Sequence, residues 1–136
     1  MDKFCGYYNM ISSENFDEYM KKLGVGFALR MIGSKTKPSL EIVNNGEDFS
    51  IKTYSTFKNT ELKFKLGESV DETTIDGRPM KTTFTLEGEK LVQKQVPVKE
   101  GDKHSVITRE IVGENLVTRC ECEGTEAVRT YVRGQK

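Results

Sequence analysis

The spacing of hydrophobic and polar residues changes period along the chain. Gly6-Tyr7-Tyr8-Asn9-Met10-Ile11 reads as a first strand, rich in aromatic and branched side chains, and Ser12-Ser13-Glu14-Asn15 offers hydroxyl and amide groups suited to capping a helix. From Phe16 the apolar residues fall at 16, 19, 20 and 23, the stripe of an amphipathic helix, and Gly24 stops it. Val25 to Ile32 predicts a second short helix ended by Gly33. After Pro38 the helical period disappears. Short β-rich runs follow, Leu40 to Val43, Phe49 to Tyr54, Glu61 to Leu66, Val70 to Ile75, Met80 to Leu86, Leu91 to Val96, His104 to Val112, Leu116 to Cys122 and Ala127 to Val132, separated by turn signals such as Asn45-Gly46, Asp76-Gly77 and Gly113-Glu114. With the first strand this makes about ten strands at a spacing of roughly 8 to 12 residues, the mark of an antiparallel meander that closes into a sandwich or barrel.

Two of these strands carry cations in an unusual place. Strict alternation puts Ile107, Arg109 and Ile111 on one face of their strand, so a guanidinium sits between two isoleucines. In the last strand Arg129 and Tyr131 share a face, and Val128, Thr130 and Val132 take the other. Periodicity does not choose which face points inward. Either the arginines snorkel over apolar neighbours at the surface, or they face the interior and demand a counter-charge, water or a bound anion. If both face in, two cations and a phenol converge, and a carboxylate is the complementary ligand.

Composition narrows the classes. With 136 residues, 35% hydrophobic, 31% charged, zero net charge and a pI near 6.6, the chain predicts one globular domain over 1–136 that is not a general nucleic-acid binder. No apolar leader follows Met1, and no run is long enough to span a bilayer as a helix. The three cysteines form no disulfide framework, and Cys120-Glu121-Cys122 would find only Cys5 and His104 as further Cys or His ligands for a metal, so plain thiols and no cofactor are expected. The helix pair offers Phe27, Ala28, Leu29, Met31 and Ile32 where a DNA-reading helix would project polar groups. Between Tyr19 and Leu40 it has five basic residues, Lys21, Lys22, Arg30, Lys35 and Lys37, and no acid. That patch is either a solvated surface or a dock for anionic membrane lipid or an acidic partner. An enzyme acting on lipid, such as a thioesterase, has little to work with: the lone His104 edges a charged loop, and there is no nucleophile elbow.

The residues match a family pattern over essentially the whole chain. Gly6-Tyr7-Tyr8, Asn15-Phe16-Asp17-Glu18-Tyr19-Met20, Leu23-Gly24-Val25-Gly26-Phe27, Ser55 to Glu61, Phe64 to Glu68, Asp76-Gly77-Arg78 and Arg129-Thr130-Tyr131 occur in the order found in the cytoplasmic fatty-acid-binding proteins, within the intracellular lipid-binding proteins, which the chain resembles. The resemblance implies a mainly β, lipocalin-like (calycin) ten-stranded up-and-down barrel, or β-clam, with a helical lid over about residues 15–34 and a water-containing cavity. It implies a monomeric cytoplasmic carrier of long-chain fatty acid, not an enzyme, with Arg109, Arg129 and Tyr131 on the carboxylate and Arg109 across the cavity from the other two. Phe57 matches the portal phenylalanine, and Phe16, Met20, Val25, Asp76, Arg78 and Cys120 match positions lining the cavity or its mouth. Lys21, Lys22 and Arg30 would touch anionic membranes transiently. A retinoic-acid carrier of the same build is the nearest alternative. Three departures stand out: Tyr8 replaces the usual Trp, the loop from Val96 to His104 is longer, and Met31 takes an often basic helix position, leaving nuclear import open.

Overall fold

A computed structural model describes residues 1–136. A single 3-10 turn, Asp2–Phe4, precedes β1 (Gly6–Glu14), α1 (Phe16–Leu23), α2 (Phe27–Lys35), β2 (Ser39–Asn44), β3 (Phe49–Tyr54), β4 (Thr60–Phe64) and β5 (Ser69–Thr73). The chain continues with β6 (Pro79–Glu87), β7 (Lys90–Pro97), β8 (Ser105–Val112), β9 (Asn115–Cys122) and β10 (Thr125–Arg133). All ten strands form one antiparallel sheet in the order β4-β3-β2-β1-β10-β9-β8-β7-β6-β5. Pairing of β1 with β10 joins the two ends of the chain and rolls the meander into the expected near-closed barrel. β4 and β5 remain the two free edges, with no ladder between them. Contacts to β6 tie the two edges together: Phe64 stacks on Phe84 at 3.9 Å between centroids, and the backbone N–H of Gly67 donates to the Phe84 carbonyl at 2.8 Å.

The N-terminal boundary differs from the sequence expectation. Ser12, Ser13 and Glu14 do not cap a helix; they prolong β1 against Thr130, Arg129 and Val128, after a bulge at Ile11 that shifts the register. The turn into α1 is made by Asn15 in the left-handed region (φ 63°), a conformation asparagine tolerates, while its Nδ2 donates to the Glu126 carbonyl at 2.8 Å. α1 ends at Gly24 (φ 94°), as its sequence predicts. Gly33, in contrast, does not end α2, which runs to Lys35. Its role is steric, because a Cβ there would lie 2.8 Å from the Met20 sulfur, and glycine lets α2 approach α1 closely.

The core is split. One cluster fills the barrel base with Phe4, Tyr8, Leu40, Ile42, Phe64, Phe84 and Leu116 among others. There Tyr8, fully buried, donates its hydroxyl to the Phe4 carbonyl at 2.7 Å, and Arg133 lies over its ring while donating to the Cys5 carbonyl at 3.0 Å. A second cluster joins α1 to the opposite end through Tyr19, Met20, Leu23, Val25, Cys120, Cys122 and Ala127. Between the two lies an unfilled interior.

Candidate functional site

That interior is a cavity of about 630 Å³, within the ordinary range of small-molecule sites. All ten residues singled out from the sequence line it: Arg109, Arg129 and Tyr131, together with Phe16, Met20, Val25, Phe57, Asp76, Arg78 and Cys120. The inward choice of face for the last strand follows, since Ala127 and Tyr131 are buried and Arg129 half-buried. One detail differs. Register aligns Arg109 on β8 with Thr118 on β9, and Thr118 with Arg129 on β10, so the two arginines stand on the same wall with one strand between them instead of across the cavity. Directly opposed residues of an antiparallel pair share a face, which makes Arg109, Thr118 and Arg129 one inward row.

Arg109 is 8% exposed and donates from Nη1 to Gln93 Oε1 at 2.9 Å, while its buried Nε has no partner. Burial pulls its pKa below the usual value, with the Glu72 carboxylate among the groups acting the other way, yet an arginine keeps its charge. The Thr118 hydroxyl is also buried and unpaired. Arg129 lies over the Phe16 ring, its Cζ 3.8 Å from the centroid, and donates to Ser13 Oγ at 3.3 Å and the Thr36 carbonyl at 3.4 Å. It thereby couples the wall to the lid. Burial pushes the Tyr131 phenol up, keeping it a neutral donor.

Further polar groups in the cavity were not anticipated. Glu72 on β5 accepts from Thr82 Oγ1 at 2.6 Å, Gln95 Nε2 at 3.0 Å and Gln93 Nε2 at 3.1 Å, all on Oε1. Gln93 therefore links Glu72 to Arg109. Alternation around Leu91, Gln93 and Gln95 hints at inward amides, but their meeting with Glu72 depends on strands far apart in sequence. Asp76 and Arg78 close on each other through Nε–Oδ2 at 2.7 Å and Nη2–Oδ1 at 3.2 Å, with Thr74 donating to Oδ1 at 2.7 Å. Burial alone would push the Asp76 carboxyl up; the hydrogen bonds from Arg78 and Thr74 and the Arg78 charge outweigh it and leave it below the ordinary carboxylate range. Cys120 faces the cavity with its thiol pushed by burial to about 11, an inert packing group.

The lid is uneven. α1 is anchored by its buried stripe and by Tyr19, whose hydroxyl meets Ser105 Oγ at 2.5 Å while that oxygen donates to the Glu121 carbonyl at 3.1 Å. α2 buries none of its residues fully and leaves Phe27 68% exposed. Phe57 on the β3–β4 turn is half-exposed beside it on the cavity rim. Lys21 and Lys22 are exposed, but Arg30 is not a free cation: it pairs with Asp17 at 3.2 Å and donates to the Val25 carbonyl at 2.9 Å, bracing one helix to the other. His104 is exposed outside the cavity. No helix is long and apolar enough to cross a membrane.

Known proteins show the same build. The profile described as "Lipocalin / cytosolic fatty-acid binding protein family" matches residues 5–134. Fatty acid-binding protein homolog 6 of Caenorhabditis elegans is 45% identical over 131 residues, 96% of this chain and 97% of that protein. Among solved structures, apo lipid binding protein 8 of C. elegans superposes with a TM-score of 0.95 at 35% identity over 98% of this chain and 97% of its own. The Schistosoma mansoni fatty acid binding protein in complex with arachidonic acid gives 0.93 at 37% identity, over 99% and 98%.

Proposed function

The chain belongs to the lipocalin / cytosolic fatty-acid binding protein family, and on that premise we propose that it carries long-chain fatty acids with the carboxylate held by Arg109, Arg129 and Tyr131. It is a binding protein and not an enzyme. The observation that carries the carboxylate assignment is the inward row of Arg109, Thr118 and Arg129, with Tyr131 two residues along the last strand, all lining one cavity. A carboxylate beside this row accepts from guanidinium N–H groups and a phenol, and charge-assisted bonds contribute about 1.5 to 3 kcal/mol each before desolvation. The tail contributes more: about fifteen methylenes at ~0.8 kcal/mol each give on the order of 12 kcal/mol gross. The head-group cluster therefore sets orientation and discriminates against neutral lipids, and the tail sets affinity.

The whole chain, 1–136, acts as one domain and as a monomer, in the cytoplasm. Phe57 and the exposed half of α2 form the portal, and Lys21 and Lys22 provide the transient contact with anionic membranes. Mass spectrometry of lipid co-purifying with the native protein, followed by titration of delipidated protein with oleate and with retinoic acid, tests the cargo. Oleate bound more tightly than retinoic acid is the expected result; retinoic acid preferred, or a neutral lipid as resident cargo, would overturn it.

A further inference from the structure

We propose that Glu72 is a specificity-determining residue that limits the cavity to ligands whose head-group carries a single negative charge. The inference rests on the carboxylate assignment above. Five of the charged side chains that line the cavity are buried or half-buried: Arg78, Arg109, Arg129, Glu72 and Asp76. Lys58, Glu61 and Asp71 lie exposed at its rim, Asp71 paired with Lys81. Asp76 and Arg78 neutralise each other through a two-point contact, so they offer nothing to a ligand. What remains is Arg109 and Arg129 against Glu72, one positive charge in excess. A monoanion brings the interior to neutrality, and a dianion overshoots it in a site where charges are poorly screened.

Glu72 is built in. Three donors, Thr82, Gln93 and Gln95, converge on its Oε1, an arrangement that suits a carboxylate, which accepts only. Because Glu72 takes the amide nitrogen of Gln93, the amide oxygen must face Arg109, where it accepts from Nη1 at 2.9 Å. The carboxylate thus stands two hydrogen bonds from the head-group cation and fixes the orientation of the relay. An amide at position 72 keeps an acceptor for these three donors, removes the charge and puts an NH2 group in place of the second oxygen.

The test uses delipidated full-length protein at pH 8.5 and compares dodecyl sulfonate, a monoanion, with dodecyl phosphate, a dianion, as competitors of a fluorescent fatty acid. Wild type is expected to prefer the sulfonate by on the order of tenfold, Glu72→Gln to shrink that preference to within about threefold, and Glu72→Asp to retain it. Equal preference in wild type and a folded Glu72→Gln, both still binding laurate, overturns the role of Glu72 and leaves the carrier function intact. Failure of wild type to bind laurate overturns both. Should Glu72→Gln not fold, 31P NMR of dodecyl phosphate on wild type decides: a second ionisation raised relative to free ligand supports the single-charge limit, and a lowered one overturns it.

Discussion

Arg109→Gln should make the empty protein more stable and the loaded protein weaker, two effects of opposite sign from one side chain. In the empty barrel Arg109 is a buried guanidinium with one hydrogen bond to Gln93 and an orphaned Nε. Leaving such a donor unpaired costs about 1 to 3 kcal/mol, and exchanging the buried charge for a shorter neutral amide removes that cost together with the desolvation of the guanidinium. Glutamine ends where the arginine Nε stands, so only the single bond from Nη1 to Gln93 is given up. The expected gain is about 1 to 2 kcal/mol, or roughly 3 to 8 °C in Tm for a chain of this size. Against that, the ligand loses a charge-assisted bond of about 1.5 to 3 kcal/mol, so its affinity falls roughly 10- to 100-fold. Urea unfolding of delipidated protein reads the first effect as a higher midpoint at unchanged slope, and calorimetric titration with oleate reads the second. A lower midpoint, or oleate bound as tightly as by wild type, would refute the picture of a strained cation waiting for an anion.

Other outcomes follow from the same geometry. Phe57→Ala at the rim should speed ligand release severalfold while changing equilibrium affinity little, by stopped-flow transfer; an unchanged release rate would remove Phe57 from the portal. Asp76→Asn should cost about 1 to 3 kcal/mol at neutral pH by leaving Arg78 half-paired. Because the folded Asp76 pKa lies below its unfolded value of about 3.9, that stabilisation is complete above the unfolded value and is lost as pH falls through the folded one, so wild-type and variant Tm curves should converge in acid. Lys21 and Lys22 changed together to Gln should slow transfer to anionic vesicles and flatten its salt dependence; equally fast transfer would make them a solvated surface.

How far the sequence reaches is visible residue by residue. The ten strands and α1 are legible because alternation and the 16, 19, 20, 23 stripe are local patterns. The cations at 109 and 129 are legible as anomalies, but their face needs either the family resemblance or the closed barrel. Ser12 to Glu14 mislead since polar residues at a barrel rim carry the same signals as a helix cap, and only pairing with β10 distinguishes them. Gly33 looks like a stop because the need for it is a contact with Met20 on the other helix. The relay through Glu72, Gln93 and Arg109 draws on β5, β7 and β8, and the brace from Arg30 spans two helices. Such contacts are set by register and packing, which no single stretch of sequence contains.

Observation of the ligand head-group itself bears most directly on the central claim. Fatty acid labelled with 13C at its carboxyl, bound to the protein and followed by NMR as pH falls, should stay ionised well below about 4.3, where an ordinary side-chain carboxyl takes its proton, and Arg129→Gln should weaken that protection. A bound carboxyl that titrates at or above the ordinary value in wild type would place it in solvent or apolar surroundings, away from Arg109 and Arg129, and would contradict the account.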